Sequence, residues 1–279
     1  MISTFANPQR FMALSAWAAP LCAVAAAAAF AIALPQALSA SPADYQMGET
    51  VRIMYVHVPT ASLSLGLFAA MGAASFISLV WRHSLADVAA RAMAPIGAVF
   101  AALCLITGAI WGEPTWGTWW EWGDARLTSM LVLFITYIGY LALLGAVEDE
   151  ARAAKLAAIL CLVGLINIPI VRYSVEWWST LHQGVNLSPI ERAILDPQYS
   201  RLCNPQAGVL LPEACQRPQG DALDPAMRLP LLLMLAAFAF ATAALVMQAM
   251  RAQIFRRQAL AAELRRARAA ELRLARAAP

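Results

Sequence analysis

The chain has 279 residues, of which 61% are hydrophobic and only 13% are charged, and its net charge is +3. Soluble domains average about 25% charged residues, so this composition excludes an ordinary soluble protein and indicates an integral membrane protein. The sequence contains no Cys-x-x-Cys pair, no glycine-rich phosphate loop and no His-Glu-x-x-His motif. These absences count against an ATPase or a zinc hydrolase on this chain.

Six apolar segments are long enough, or nearly so, to cross a bilayer, which predicts an all-α integral membrane protein with six transmembrane helices. They lie at about residues 11–34, 59–81, 92–111, 127–147, 156–171 and 229–250. The fifth segment is short and contains Asn167 and Pro169, so we expect a bend near its outer end.

The first segment has two interpretations. Arg10 precedes it, and Ala37-Leu38-Ser39 resembles the cleavage site of a signal peptide. Its apolar stretch exceeds about 20 residues, which is longer than a typical signal core. This length favours a retained membrane anchor.

The distribution of Lys and Arg predicts that both termini are cytoplasmic. In that orientation 13 of these residues lie inside and 7 lie outside. The inner set comprises the eight arginines from Arg251 to Arg276 together with Arg10, Arg82, Arg91, Arg152 and Lys155. The outer segments are then about 35–58, 112–126 and 172–228.

The tail, 251–279, is predicted to be a basic amphipathic helix that lies on anionic lipid. Docking of a cytoplasmic partner is the alternative role.

Five of the nine tryptophans stand within twelve residues, between the third and fourth apolar segments. They are Trp111, Trp116, Trp119, Trp120 and Trp122. Membrane proteins use tryptophan as an interfacial belt, but one or two per helix end suffice for that role. The concentration favours a platform for a flat, apolar ligand. If this run is helical, Trp116, Trp119 and Trp120 share one face.

Two of the three histidines fall on the same side of the predicted membrane as the tryptophans. His57 stands at the outer end of the second segment and His182 just beyond the fifth, whereas His83 is at an inner end. A lone interfacial histidine is usually a polar anchor. Two of them beside an aromatic platform favour haem, because imidazole ligates haem iron. If residues 174–182 are helical, Trp178 lies one turn from His182 and adds a side wall.

Two outer arginines at membrane level, Arg52 and Arg126, are candidates for binding the haem propionates. Their alternative role is to fix the protein against lipid headgroups.

Three cysteines lie within apolar segments and are expected to act as small apolar residues. They are Cys22, Cys104 and Cys161.

The tryptophan-rich run reads Trp-Gly-Thr-Trp-Trp-Glu-Trp at residues 116–122 and continues as Asp-Ala-Arg-Leu-Thr at 124–128. This pattern resembles the WWD signature of haem-handling membrane proteins. With six spans and two outer histidines, the chain is similar to the CcmC family of haem exporter subunits in bacterial cytochrome c maturation. The similarity extends from about Arg52 through the sixth segment, and includes Val-His-Val-Pro at 56–59 and Glu-Trp-Trp-Ser-Thr-Leu-His-Gln at 176–183.

The resemblance implies a protein that presents haem at the periplasmic side of the bacterial inner membrane, rather than an enzyme with bond-making residues of its own. His57 and His182 would be the axial ligands of a transiently bound b-type haem. The implied platform comprises Trp116, Trp119, Trp120, Trp122, Asp124 and Arg126. Such proteins pass haem to a periplasmic haem chaperone, CcmE, which binds it covalently. They work beside the ABC transporter subunits CcmA and CcmB, one of which carries the ATPase, and a small membrane subunit, CcmD.

The sequence departs from the family pattern at Gly123, which separates Trp122 from an aspartate that ordinarily follows it directly. One extra residue would rotate the rest of a helix by about 100°. We therefore expect a turn or bulge at Gly123 that keeps Arg126 in place.

A second departure is the long outer loop at 186–228, which contains Cys203 and Cys215. In an oxidising compartment we expect these cysteines to form a disulfide worth about 3 kcal/mol in the loop-entropy model. Ligation of haem by their thiolates is the competing idea, and it is disfavoured because two histidines already supply the axial ligands. Alkylation of both thiols in the native protein would contradict the disulfide.

The alternative function is electron transfer by a bis-His b-type haem membrane protein. Such proteins usually bury haem between spans with the ligands in mid-helix, whereas both histidines here stand at helix ends. A small-solute transporter is a further alternative, but it would place ionisable residues at mid-membrane, where these segments have almost none.

Overall fold

The computed structural model describes residues 7–44, 47–178, 180–182 and 225–277. In this part of the chain a π-helical turn, Gln36–Ala40, follows the first α-helix, and a 3-10 helix, Glu49–Ile53, precedes the second. The α-helices are α1 (Pro8–Pro35), α2 (Met54–Trp81), α3 (Ser84–Trp116), α4 (Ala125–Ala146), α5 (Glu150–Gly164), α6 (Asn167–Trp177) and α7 (Pro225–Ala277).

Six helical segments of the described chain are long and apolar enough to cross a membrane, with α5 and α6 together forming the fifth. No β-strand occurs among the described residues, where the only bridge joins Asp44 to Gly48. The prediction of an all-α protein with six membrane spans is therefore confirmed. The two cysteines of the proposed disulfide, Cys203 and Cys215, lie outside the described residues.

Local side-chain chemistry sets several helix ends. Arg82 adopts a left-handed conformation with φ 50° after α2, and His83 then caps α3 by accepting a hydrogen bond from the Ala86 N–H at 3.2 Å. Asp124 caps α4, and Asp149 caps α5. Such caps satisfy backbone N–H groups that have no partner within their own helix, and they fix where each span begins.

The fifth span is interrupted, as its Asn167 and Pro169 indicate. The α-helix breaks at 165–166 and resumes as α6, which continues to Trp177. The side-chain amide of Asn167 donates a hydrogen bond of 2.8 Å to the Ser129 carbonyl of α4. The outer part of this span is thereby tied to α4.

The core lies between α2, α3 and α4, where small residues allow close helix packing. Tyr137 of α4 is fully buried and donates a 2.7 Å hydrogen bond to the Ser64 carbonyl of α2. Its phenol ring lies over Gly97 of α3, where even a Cβ atom would overlap it. Small residues at helix interfaces are the usual way for membrane helices to approach closely.

Charged side chains join three helices at the end of the bundle opposite the tryptophan-rich segment. Asp87 of α3 pairs with Arg91 at 3.0 Å and with Arg257 of α7 at 2.6 Å, and Arg257 also reaches Glu150 of α5 at 3.3 Å. The helix α7 has 53 residues without a break, about 80 Å at 1.5 Å per residue, so it extends well past the span.

Candidate functional site

A cavity of about 980 Å³ opens among the N-terminal parts of α2 and α4, the C-terminal part of α3, and α6. This volume is at the upper end of the range of about 300–1,000 Å³ for ligand and cofactor pockets. Both outer histidines line it, together with aromatic, aliphatic and basic side chains. The wall includes His57, Trp111, Trp116, Arg126, Arg172 and His182.

His57 enters the cavity from the first turn of α2. Its Nδ1 lies 3.0 Å from the hydroxyl oxygen of Thr107 on α3. That hydroxyl also lies 2.6 Å from the Leu103 carbonyl and 3.2 Å from the Cys104 carbonyl, so it can donate its single hydrogen there while a lone pair accepts from His57. In the tautomer with its proton on Nδ1, the His57 ring donates to this hydroxyl, and Nε2 keeps a lone pair for a ligand. The Trp111 ring packs edge-on at 5.9 Å between centroids.

His182 reaches the same cavity from a non-helical segment after α6. Its ring packs edge-on against Trp116, with centroids 5.0 Å apart. Nδ1 is buried and faces Asp124 Oδ2 at 3.6 Å, which is an ion-pair distance longer than a hydrogen bond. Because Nδ1 is turned toward the carboxylate, Nε2 is the nitrogen left for a ligand.

Asp124 lies behind the cavity wall and is only 2% exposed. Oδ1 accepts the N–H groups of Arg126 and Leu127, each at 2.9 Å, while Oδ2 accepts the Leu181 N–H at 2.7 Å. Burial disfavours its charged form, but the adjacent His182 and the N–H groups of Leu127 and Leu181 outweigh that cost. Together they lower the pKa of Asp124 to about 2. The carboxylate therefore remains ionised at any physiological pH.

Two arginines form the basic part of the wall. Arg126 Nη2 donates a 3.2 Å hydrogen bond to the Arg172 carbonyl, which fixes its side chain beside α6. Its Nε is buried and has no hydrogen-bond partner among the described residues. A buried guanidinium with an unused donor is suited to a carboxylate or phosphate oxygen of a ligand.

The structure brings together four of the ten residues that the sequence analysis assigned to the site. His57, His182, Trp116 and Arg126 line the cavity. Asp124 stands behind them, and the other five are absent from the wall. These five are Arg52, Trp119, Trp120, Trp122 and Trp178.

The run that begins at Trp116 is not helical, so the shared helical face of Trp116, Trp119 and Trp120, which required a helix, does not form. The helix α3 ends at Trp116, and Gly117 follows with φ 74°, a left-handed conformation that glycine adopts without strain. The next residues, to 124, are irregular apart from a turn at 122–123, and they form no helix. Trp119 and Trp122 are consequently 60% and 72% exposed.

The helical relation between Trp178 and His182 is also absent. The helix α6 ends at Trp177, Trp178 is extended with φ −134° and ψ 157°, and its side chain is half exposed. Arg52 likewise points elsewhere. It pairs with Glu49 and donates to the Ala37 carbonyl and the Ser41 hydroxyl, on the α1 side of the bundle.

Gly123 lies in a tight turn that starts the approach to α4. Its N–H bonds to Glu121 Oε1 at 3.0 Å, and the Asp124 N–H bonds to the Glu121 carbonyl at 3.2 Å. The turn lets Asp124 act as the cap of α4, and Arg126 lies in the first turn of that helix and lines the cavity.

Trp111 and Arg172 also line the cavity, and neither is among the site residues predicted from the sequence. A helical period reveals Trp111, because Cys104, Gly108 and Trp111 recur at intervals of four and three on one face of α3. Arg172 had no comparable signal in the sequence, since its position depends on α6 continuing beyond the apolar segment.

The sequence matches the family model described as "Heme exporter protein C" over residues 1–202. The heme exporter protein C of Bradyrhizobium diazoefficiens is 46% identical over 253 residues, which cover 91% of this chain and 85% of that protein. The Escherichia coli K12 protein of the same name is 48% identical over 179 residues, covering 64% and 73% respectively. A ccmC-like mitochondrial protein of cytochrome c biosynthesis from Marchantia polymorpha is 43% identical over 164 residues, covering 59% and 69%.

The family match covers well over half of the chain, and the Bradyrhizobium relative is similar along nearly all of it. Its membrane spans and its cavity with two histidines agree with a protein that handles haem. The chain therefore belongs to the heme exporter protein C (CcmC) family of multi-pass membrane proteins, which act in haem transport for cytochrome c biogenesis.

Proposed function

We propose that this chain binds haem in the cavity, with His57 and His182 as axial ligands, and presents it at the periplasmic face of the inner membrane. The observation that carries the proposal is the pair of histidines from separate segments that line one cavity. Each ring has its Nδ1 turned away toward a polar neighbour, which leaves Nε2 for iron. Imidazole is a standard ligand of haem iron.

Haem is the cargo of this protein, and the cavity wall has the chemistry that haem requires. Trp111 and Trp116 offer aromatic surface next to the two histidines. Arg126 and Arg172 supply positive charge for the propionates, and guanidinium groups bind carboxylates in pairs of charge-assisted hydrogen bonds. Apolar side chains of α2 and α4 complete a wall that excludes water from the macrocycle.

Delivery of the haem to a periplasmic chaperone, CcmE, is the second part of the proposal. The exposed Trp119 and Trp122 lie beside the cavity segment that carries Trp116, without belonging to its wall. Exposed aromatic residues next to a ligand site are typical of a protein contact surface. They are therefore candidates for the surface that receives the chaperone while the cargo is bound.

Energy for release of the loaded chaperone would come from other subunits. This chain has no phosphate-binding loop. We infer that it works with the ABC-type subunits CcmA and CcmB and the small membrane protein CcmD, and that the ATPase resides on a partner chain.

The test is purification of the membrane protein with its haem, followed by an absorbance spectrum in the Soret region. We expect the wild type to show bound low-spin haem, and the single variants His57→Ala and His182→Ala to show altered spectra because one ligand remains. The double variant should lose the haem. The matched control is His83→Asn, since His83 is outside the cavity and Asn preserves a helix cap.

Transfer is measured by adding the chaperone and following covalent haem on it. Full haem binding and full transfer by the double histidine variant would refute the proposal. Reduction of the bound haem by quinol without transfer would instead favour the bis-His electron-transfer alternative.

A further inference from the structure

We propose that Thr107 and Asp124 are positioning residues, which orient His57 and His182 respectively so that both rings present Nε2 to the iron. The inference rests on the haem-binding function proposed above and extends it to residues that do not themselves ligate the metal. Metal-binding histidines usually donate the other ring N–H to an outer partner, which fixes the tautomer and the orientation of the ring.

Thr107 can fulfil this role because its hydroxyl has a defined direction. The hydroxyl donates to the Leu103 carbonyl at 2.6 Å and to the Cys104 carbonyl at 3.2 Å, within α3. Its lone pair is thereby left for the Nδ1 hydrogen of His57 at 3.0 Å. A rigid helix thus sets the ring from the side opposite the ligating nitrogen.

Asp124 acts on a segment that has no helix to support it. Its Oδ1 is occupied by the first turn of α4, and its Oδ2 accepts the N–H of Leu181, the residue directly before His182. The same Oδ2 faces Nδ1 of His182 at 3.6 Å. One buried carboxylate therefore holds the backbone beside this ligand by a hydrogen bond and faces its ring at an ion-pair distance.

This arrangement separates the role of Asp124 from direct contact with haem. The residue is absent from the cavity wall, although its neighbour Arg126 is part of it. A carboxylate in the wall would also repel the propionates, whereas behind the wall it pairs with an imidazole. The aspartate of the tryptophan-rich signature thus acts through the histidine of another segment.

Substitutions that keep the fold but remove the orienting contact test the inference. Thr107→Val removes the hydroxyl with little change in shape, and Thr107→Ser retains it. Asp124→Ser preserves a side chain that can cap α4 but does not reach Leu181. Asp149→Ser is the matched control, because Asp149 caps α5 and is absent from the cavity wall.

The readouts are haem affinity, the spin state of the iron by electron paramagnetic resonance, and thermal unfolding of the haem-free protein. We expect Thr107→Val and Asp124→Ser to convert low-spin haem partly to high-spin and to weaken binding by about 10–100-fold, the usual effect of losing such an outer partner. Their thermal unfolding should resemble that of Asp149→Ser. Thr107→Ser should restore the wild-type spectrum.

Suppose that His57→Ala and His182→Ala alter the haem spectrum, but that Thr107→Val and Asp124→Ser both keep the wild-type spectrum and haem affinity. This result would overturn the positioning roles and leave the proposed function standing. If the histidine variants leave the spectrum unchanged, or the wild type binds no haem, the proposed function fails and the positioning roles are overturned with it. The two failures are therefore distinguishable.

Discussion

Gly108 determines how closely His57 approaches α3. A Cβ atom at this position would lie 3.0 Å from His57 Cε1 and 3.6 Å from Nδ1, so the ring would have to move by a few tenths of an ångström. Such a shift acts on the bond between His57 and Thr107, which is 3.0 Å long. The absence of a side chain at Gly108 therefore allows the close approach of the His57 ring to α3.

We predict that Gly108→Ala weakens haem retention and shifts its spectrum, while the haem-free protein stays folded because alanine is the better helix former. The measurement is a haem titration of the variant in detergent beside wild type. Gly66→Ala is the control, because Gly66 is also in a helix and a Cβ there meets nothing within 4 Å. Equal haem affinities for the two variants would contradict the role of Gly108.

At the residue scale, the type of side chain predicts the cavity residues better than the distance along the sequence from a predicted histidine. His57, His182 and Arg126 were identifiable because polar groups near apolar spans are rare and need a partner or a ligand. Arg52 is a candidate as an outer arginine at membrane level, and it stands only five residues before His57, but a 3-10 helix turns it toward Ala37 and Ser41. Proximity in sequence does not determine the direction of a side chain when the backbone changes type between two residues.

At the element scale, the packing of α2, α3 and α4 depends on a contact between glycine and tyrosine. A Cβ on Gly97 would lie 2.2 Å from the Tyr137 hydroxyl oxygen, so the ring would have to leave its position. Displacement would also break the 2.7 Å hydrogen bond from Tyr137 to the Ser64 carbonyl. A buried hydroxyl without a partner is costly.

We predict that Gly97→Ala destabilises the folded protein by about 1–3 kcal/mol, the usual cost of overpacking a core. Thermal unfolding in detergent measures the effect. Gly145→Ala is the matched control, since Gly145 is in α4 and a Cβ there has nothing within 4 Å. A melting temperature of Gly97→Ala equal to that of the control would show that the interface can adjust.

The spans were predictable from apolar length, but their ends were not. Hydropathy places a helix across the bilayer, whereas its ends are set by caps and turn residues such as Asp124 and Gly117. The third span therefore continues as helix through Trp116, and the fifth continues through α6 to Trp177. These extensions determine which tryptophans face the cavity, and for that reason the platform inferred from sequence differs from the observed wall.

At the scale of the whole molecule, the two ends of the bundle differ in chemistry. The helix α3 runs from the charged cluster around Asp87 to the cavity around Trp111, so both lie on one rigid element at opposite ends. The charged end also carries the arginines of α7 beyond Met250. An excess of arginine and lysine beside spans is retained in the cytoplasm.

We predict that the charged end and both termini face the cytoplasm, while the cavity faces the periplasm. A fluorescent protein fused after Pro279 should fluoresce, because common fluorescent proteins fold poorly after export. Alkaline phosphatase inserted between residues 186 and 224 should be active, because this enzyme requires periplasmic disulfides. Exchanging the reporters gives the control, and both exchanged fusions should be silent. If the two fusions with exchanged reporters were active instead, the topology would be the inverse of the predicted one. His57 and His182 would then lie on the cytoplasmic side, where a periplasmic chaperone could not reach haem bound to them.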